Sequence, residues 1–297
     1  MNFMGVELPV FKAALHTHST VSDGQMTPDW LLEAFAADGF DVFNFSDHKL
    51  TNPVSSYDHR NMTVISGIEL HPQGPHGTTW HLLAVGVPED FPGEYATAQD
   101  AVDAVNAVGG VIFCAHPAWC GITSVEIAEI KGLAGLEVFN TSCVGIAKAN
   151  SETIWNELTD RGIFYPALAV DDIHADYQVG RNWTMIAAPD KSRESIIAAL
   201  KAGHFYATQG PEFTKLTIED GMFSAEFTEV EEAVLIGVGP SGHYEAMKDY
   251  PNKGDHKLVT SLVQPVEKYW LQGPFRCRIK DVNGNYAWSP VLTLPEK

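Results

Sequence analysis

Five short apolar runs in this chain each stop at side chains able to hold a metal ion, and any fold must account for that repetition. Residues 11–15 run into His16-Thr17-His18, 42–45 into Asp47-His48, 64–68 into Glu69, 111–115 into His116, and 164–170 into Asp172-Ile173-His174. Apolar runs of this length read as β-strands, so the polar groups sit at strand ends. Asp23 and His81 belong to the same series. Groups scattered in sequence but gathered at strand ends can converge on one face of a barrel, which is the geometry of a metal active site.

Composition sets the class around that feature. With 297 residues, 45% of them hydrophobic and 19% charged, the chain can bury one large core or two moderate ones, as a soluble globular protein does. No apolar stretch is long enough to cross a bilayer, and residues 1–10 lack the basic start and long apolar centre of a signal peptide. A cytoplasmic protein with no membrane partner is expected. Cys114, Cys120, Cys143 and Cys277 show no paired spacing, which favours free thiols in a reducing compartment. A formal net charge of −19 without a Lys/Arg run argues against a nucleic-acid duplex as partner. A small anionic substrate stays compatible, because bound metal reverses the field locally.

From about residue 11 to about residue 205, apolar runs alternate with helical segments, the pattern of a parallel α/β core. Thr27-Pro28 forms an N-cap and first-turn pair, Leu31, Leu32 and Phe35 share a face, and Gly39 stops the helix. A second helix is predicted over 97–108, with Ala101, Val102, Val105 and Val108 apolar and Gly109-Gly110 closing it. Further helices are expected over 126–131, 151–161 and 192–202, separated by apolar runs at 136–139, 164–170 and 183–188.

Near Gly210-Pro211 the texture changes to period-two alternation divided by Asp220-Gly221 and Asn283-Gly284 turns, which predicts a small β-sandwich. The expected domains are therefore 1–210 and 211–297. Gly237-x-Gly239-x-x-Gly242 matches a dinucleotide fingerprint, but the residues after it, through Tyr250-Pro251, make no helix of useful length, so a hairpin loop is expected. Residues 240–256 read as an irregular loop.

Of the twelve histidines, His59, His71, His76, His204, His243 and His256 lie in polar or irregular contexts and read as surface or hydrogen-bonded groups. His16 and His18 differ, because a spacing of two at a strand end puts both on one side. Asp172 and His174 repeat that spacing. Glu69 closes an apolar run, where a carboxylate is costly unless it meets a cation. A carboxylate there can bridge two metals.

His16-x-His18, Ser22-Asp23-Gly24, Ser46-Asp47-His48, Gly67-Ile68-Glu69, Cys114-Ala-His116-Pro117 and Asp172-x-His174 together resemble the ordered motifs of the polymerase and histidinol phosphatase (PHP) superfamily. The match covers about the first two thirds of the chain, and the ordered set is more specific than any single motif. Residues 203–211 also resemble the end of the PHP part in small two-domain members and in relatives of the CehA/McbA hydrolases, which often carry a β-sandwich tail.

The resemblance implies an α/β fold, a distorted (β/α)7 TIM-like barrel, with two or three divalent ions. Mn²⁺, Zn²⁺ or Fe²⁺ is expected, because imidazole-rich sites disfavour Mg²⁺. Carried over motif by motif, His16, His18, Glu69 and Asp172 would hold one ion, Glu69, His81 and His116 a second, and Asp23, His48 and His174 a third. His81 is preferred over His71 and His76 because it begins the apolar run 81–85, yet either neighbour can replace it. Asp47 is expected to orient a histidine. Lys49, where many relatives have a small polar residue, and Arg181 are candidates for contacting a substrate anion. For Lys49 the alternatives are solvation or an ion pair with Asp47.

The function so implied is a phosphoesterase cleaving small phosphomonoesters, nucleotide- or sugar-phosphate-like, with a metal-bridging hydroxide attacking phosphorus in line. Glu69 would bridge the ions, and His81 or His174 would deliver a proton. Two alternatives stay open. One is a CehA/McbA-like hydrolase of carbamates, esters or amides. The other is an inactive PHP-like module that grips a partner protein or sugar through the sandwich. An amidohydrolase barrel also begins with H-x-H, but no bridging lysine stands at a clear strand end here, and Asp172 comes with His174 instead of alone.

Overall fold

The computed structural model describes residues 1–247, 257–266, 271 and 273–293. Two short strands, β1 (Asn2–Phe3) and β2 (Val6–Glu7), open the chain, and β3 (Val10–Ala14) follows. Helix α1 (Pro28–Ala37) begins where its capping chemistry places it: the Thr27 hydroxyl accepts from Trp30 N, and Leu31, Leu32 and Phe35 are buried. Strands β4 (Val42–Phe45), β5 (Thr63–Leu70) and β6 (Leu82–Val85) lead to α2 (Ala98–Ala107), capped by Thr97. Val108 was expected on the apolar face of α2, but it is the C-cap residue and is exposed. Next come β7 (Val111–Cys114), α3 (Pro117–Cys120), α4 (Ser124–Glu129), β8 (Gly135–Asn140) and α5 (Glu152–Asp160). Strands β9 (Ala167–Val170) and β10 (Trp183–Ala187), helix α6 (Arg193–Ala202) and strand β11 (Phe205–Thr208) follow. β9 starts three residues later than its apolar run, after Pro166, which has no N–H to give a ladder.

The core is mixed rather than all-parallel. β3, β4 and β5 pair in parallel, as do β7, β8 and β9. β6 is antiparallel to both β5 and β7, and β10 is antiparallel to β3. Residues 71–81 contain no crossover helix, so the chain leaving β5 returns antiparallel.

The tail supplies β12 (Phe213–Glu219), β13 (Met222–Val230), β14 (Glu232–Gly237), β15 (Gly242–Ala246), β16 (Val259–Pro265), β17 (Phe275–Lys280) and β18 (Tyr286–Trp288). The large sheet runs β15-β14-β17-β18-β11-β10-β3-β4-β5-β6-β7-β8-β9, and its ladder does not close into the expected barrel. Beyond the named strands, a parallel bridge between Thr17 and Ile173 still brings the end of β3 to the end of β9. Clusters of buried residues fill the α/β part, among them Leu82, Ile112, Trp155 and Leu136 on one side of the sheet.

A second sheet runs β16-β13-β12-β1-β2, with Asn2 and Phe3 in register with Lys215 and Leu216. Phe213, Leu216, Phe223, Leu235, Leu262, Phe275 and Cys277 from the two sheets form one buried apolar cluster. Asp220 and Gly221 both have positive φ and turn β12 into β13. The dinucleotide-like glycines close the β14–β15 hairpin, with Gly237 N donating to Ser241 O at 3.0 Å. Residues 242–246 form a strand within the stretch expected to be an irregular loop; Tyr250, Pro251 and His256 lie outside the described residues. Arg276 of β17 is buried 4.1 Å over the Trp155 ring and 3.4 Å from Glu152, which ties the tail to α5. All four cysteines are free thiols, and no described helix is long and apolar enough to cross a membrane.

Candidate metal centre

The Thr17–Ile173 bridge explains why the two spaced pairs meet. Thr17 and Ile173 face each other across the bridge, so His16 and His18 lie beside Asp172 and His174. His18 N donates to Ile173 O at 3.1 Å, and the His18 and His174 rings stack with centroids 4.3 Å apart. A second bridge, His48 to Glu69, does the same for the ends of β4 and β5. Glu69 is thus the penultimate residue of β5, paired with Leu83, instead of standing beyond the strand.

Glu69 is the hub. Its Oε2 lies 3.4 Å from His16 Nε2, 3.4 Å from His18 Nε2 and 2.7 Å from His48 Nδ1. Its Oε1 lies 2.8 Å from His81 Nδ1 and 3.1 Å from His116 Nε2. Asp172 Oδ1 stands 3.3 Å from His16 Nε2 and 3.0 Å from His18 Nε2. Asp23, on the more exposed side, approaches His48 Nε2 at 3.4 Å and His174 Nε2 at 3.5 Å. All nine residues expected as ligands therefore lie in one connected cluster. Gly24 lets the Asp23 loop pass the end of β3, since a Cβ there would meet His18 O at 2.3 Å.

Among the described residues, His16 Nε2, His18 Nε2, Glu69 Oε2 and Asp172 Oδ1 are buried without a hydrogen-bond partner. They approach to hydrogen-bond distance but not to hydrogen-bond alignment, as donors turned toward a common point do. Such atoms are expensive to bury unless a cation meets them. The ionisation states suit one. Burial pushes Glu69 up, but His16, His116 and His48 hold it well below the usual carboxylate range. Burial opposes charge on His16 as well, yet Asp172, Glu137 and Glu69 raise it well above the ordinary imidazole value. Burial lowers His18 and His81, which favours the neutral, ligating form. The carboxylates thus draw a proton onto His16, and against burial the contact with Cys120, then Glu69 and Asp172, raises His116 in the same way; binding of a divalent ion would displace these protons. His116 (φ 25°) and Asp172 (φ 52°) both have left-handed backbone, the kind of strain that gathers at functional sites.

Three placements were not foreseen. Glu137 of β8 is buried, with Oε1 2.6 Å from His16 Nδ1, while Oε2 accepts from His116 N at 2.8 Å and Asn140 Nδ2 at 3.0 Å. His71, read as a polar-context histidine or as a replacement for His81, lies inside the cluster together with His81, the two rings 3.9 Å apart. Asp47 accepts from Ser19 N and Oγ, Ser22 N and Oγ, and Asn52 Nδ2. It braces the loop that carries Asp23 instead of orienting a histidine. His76, the other stand-in for His81, is exposed and pairs with Glu129 at 3.1 Å.

The two candidates for contacting a substrate anion each have a partner on the protein surface. Lys49 Nζ pairs with Glu94 at 3.0 Å, not with Asp47, and Arg181 Nε donates to Tyr177 O at 3.1 Å. The backbone of the Arg181 segment instead holds Asp171: Gly180, Arg181 and Asn182 N donate to its carboxylate at 2.7, 3.0 and 2.8 Å. Asp171→Ala leaves those N–H groups unpaired next to Asp172. A loss of about 2–4 kcal/mol is expected, read as a lower denaturant midpoint at unchanged slope.

No family model matches the sequence, and no curated protein matches it. The structure is similar to that of a two-domain protein containing a predicted PHP-like metal-dependent phosphoesterase from Bacteroides vulgatus, at 16% identity and a TM-score of 0.55, over 98% of this chain and 99% of that one. Weaker likenesses are to a lesion-specific endonuclease, EndoQ, of Pyrococcus furiosus (18% identity, TM-score 0.49, 65% of this chain and 56% of that one). An amidohydrolase from Chromobacterium violaceum gives 17% identity and a TM-score of 0.44 over 55% of this chain and 88% of that one.

Proposed function

We propose that this chain, whose fold is PHP-like, is a divalent-metal hydrolase of small phosphomonoesters. The observation that carries this reading is the convergence of His16 Nε2, His18 Nε2, Glu69 Oε2 and Asp172 Oδ1, buried and without hydrogen-bond partners among the described residues. These four would hold the first ion. Glu69, His81 and His116 would hold the second, and Asp23, His48 and His174 the third. Imidazole mixed with carboxylate suits Zn²⁺, Mn²⁺ or Fe²⁺. When bound, the ions would polarise a phosphoryl oxygen and activate water.

The chain's own residues set the rest. Glu137 accepts from His16 Nδ1–H, so once an ion displaces the other proton, Nε2 would offer its lone pair on the side of Glu69 and Asp172. His174 Nδ1–H donates to Asp172 O at 2.8 Å, so its half-buried Nε2 is left to face Asp23, either as a ligand of the third ion or, with only two ions bound, as the atom placed to hand a proton to a leaving group. Glu69, Asp172, Glu137 and Asp23 facing three divalent ions leave about two positive charges, or about one once a bound hydroxide is counted, a field that draws an anionic phosphate ester.

Metal analysis of the purified protein, with parallel assays on a chromogenic phosphomonoester and an aryl ester, tests the reading. Phosphate release that is lost on chelation and restored by Mn²⁺ or Zn²⁺ is the expected result. Faster cleavage of the aryl ester points to the carbamate, ester or amide chemistry of the CehA/McbA type. Less than about one ion per chain, with neither substrate cleaved, points to a binding module.

A further inference from the structure

We propose that His71 is a metal ligand, completing a donor set with His48, Glu69 and His81 at the mouth of the centre that takes a borderline divalent ion such as Zn²⁺. The inference rests on the metal-hydrolase reading above, but on different atoms. Donor atoms of these four residues all lie within 4.8 Å of one another. His71 Nε2 is 2.8 Å from His48 Nδ1 and 3.7 Å from Glu69 Oε2, and His48 Nδ1 is 2.7 Å from the same oxygen. Metal–nitrogen bonds of about 2.0–2.1 Å put tetrahedral neighbours about 3.3 Å apart, so the His71–His48 and His48–Glu69 pairs, which stand at hydrogen-bond distance, need open by only about half an ångström to share an ion.

The position follows from strand register. Leu70 pairs with Leu82 in the antiparallel β5–β6 ladder, so one further step puts His71 opposite His81. Their rings stack at 3.9 Å and an interplanar angle of 15°. Stacked rings turn their nitrogens the same way, His71 Nε2 toward Glu69 Oε2 and His81 Nδ1 toward Glu69 Oε1, so both stand at one buried carboxylate at the rim. His48 faces both ways, with Nδ1 toward this set and Nε2 toward Asp23. A neutral imidazole has one lone pair, so His48 serves either this set or the one with Asp23 and His174, and His81 either this set or the one with His116. His71 gives the mouth position a nitrogen ligand that does not depend on His48.

The test is Zn²⁺ titration of the chelator-stripped full chain by calorimetry, with Co²⁺ visible absorption as a second readout. His71→Ala and the volume-keeping His71→Gln should each weaken one binding step by at least about tenfold and alter the Co²⁺ bands. His76→Ala, an exposed histidine of the same loop paired with Glu129, should match the wild type. Unchanged isotherms and Co²⁺ spectra in both folded His71 variants, checked by circular dichroism, overturn the proposal and leave the parent reading standing. A wild-type chain that takes up no Zn²⁺ or Co²⁺ overturns both.

Discussion

His18→Ala and Asp172→Ala each lower kcat/KM for a chromogenic phosphomonoester by about a thousandfold or more. The size follows from what each side chain faces. His18 Nε2 and Asp172 Oδ1 are 3.0 Å apart, and both are buried without a hydrogen-bond partner among the described residues. A metal's Lewis acidity contributes several kcal/mol to phosphoryl transfer, and each 1.36 kcal/mol is a factor of ten. Losing one of four donors from the most enclosed position removes most of that term. The ion content, read by plasma mass spectrometry, should fall together with the rate. Folding is the confounding effect, because Asp172 also accepts from Asn140 Nδ2 at 3.0 Å. Asp172→Asn keeps the shape, so its circular dichroism and melting curve should stay near wild type while activity is lost. Wild-type turnover in either alanine variant would sink the metal mechanism.

The candidate site residues that sequence reveals and the ones it hides differ for a physical reason. His16, His18, Asp172 and His174 are legible because a spacing of two after an apolar run fixes a shared face before any tertiary contact is known. The Thr17–Ile173 bridge then only has to set the pairs side by side. His71 is illegible under a parallel reading of the core, since its place depends on β6 running antiparallel to β5. The short helix-free connection of residues 71–81 was the available signal. Closure of the sheet could not be read at all: strand number and apolar runs are the same for an open ladder and a barrel, and the difference lies in pairing at the edges. Asp47 was placed near the site by its motif, but its partners Ser19, Ser22 and Asn52 belong to a loop whose path no periodicity encodes.

Glu137 is the strongest case of a hidden site residue, and its replacement carries the second large effect. It sits in the apolar run of β8, where a lone carboxylate between Leu136 and Val138 should itself have flagged a buried cation or a charged partner. Its two oxygens touch three parts of the centre. Oε1 fixes His16, while Oε2 accepts from the His116 backbone at its left-handed turn and from Asn140, which also reaches Asp172. Partners of this kind orient ligands and are typically worth about 10–100-fold in metal affinity or activity. Glu137→Ala should reach the upper end of that range, about 100-fold, in Zn²⁺ affinity measured by competition with a chromogenic chelator. Glu137→Gln should fare little better, and this is the discriminating variant. The oxygen of a glutamine can face His16 Nδ1–H or the His116 N–H, but whichever it faces, its amide N–H₂ group meets the other donor. A glutamine variant with wild-type Zn²⁺ affinity would mean that Glu137 only fills space, and that His16 is held by packing alone.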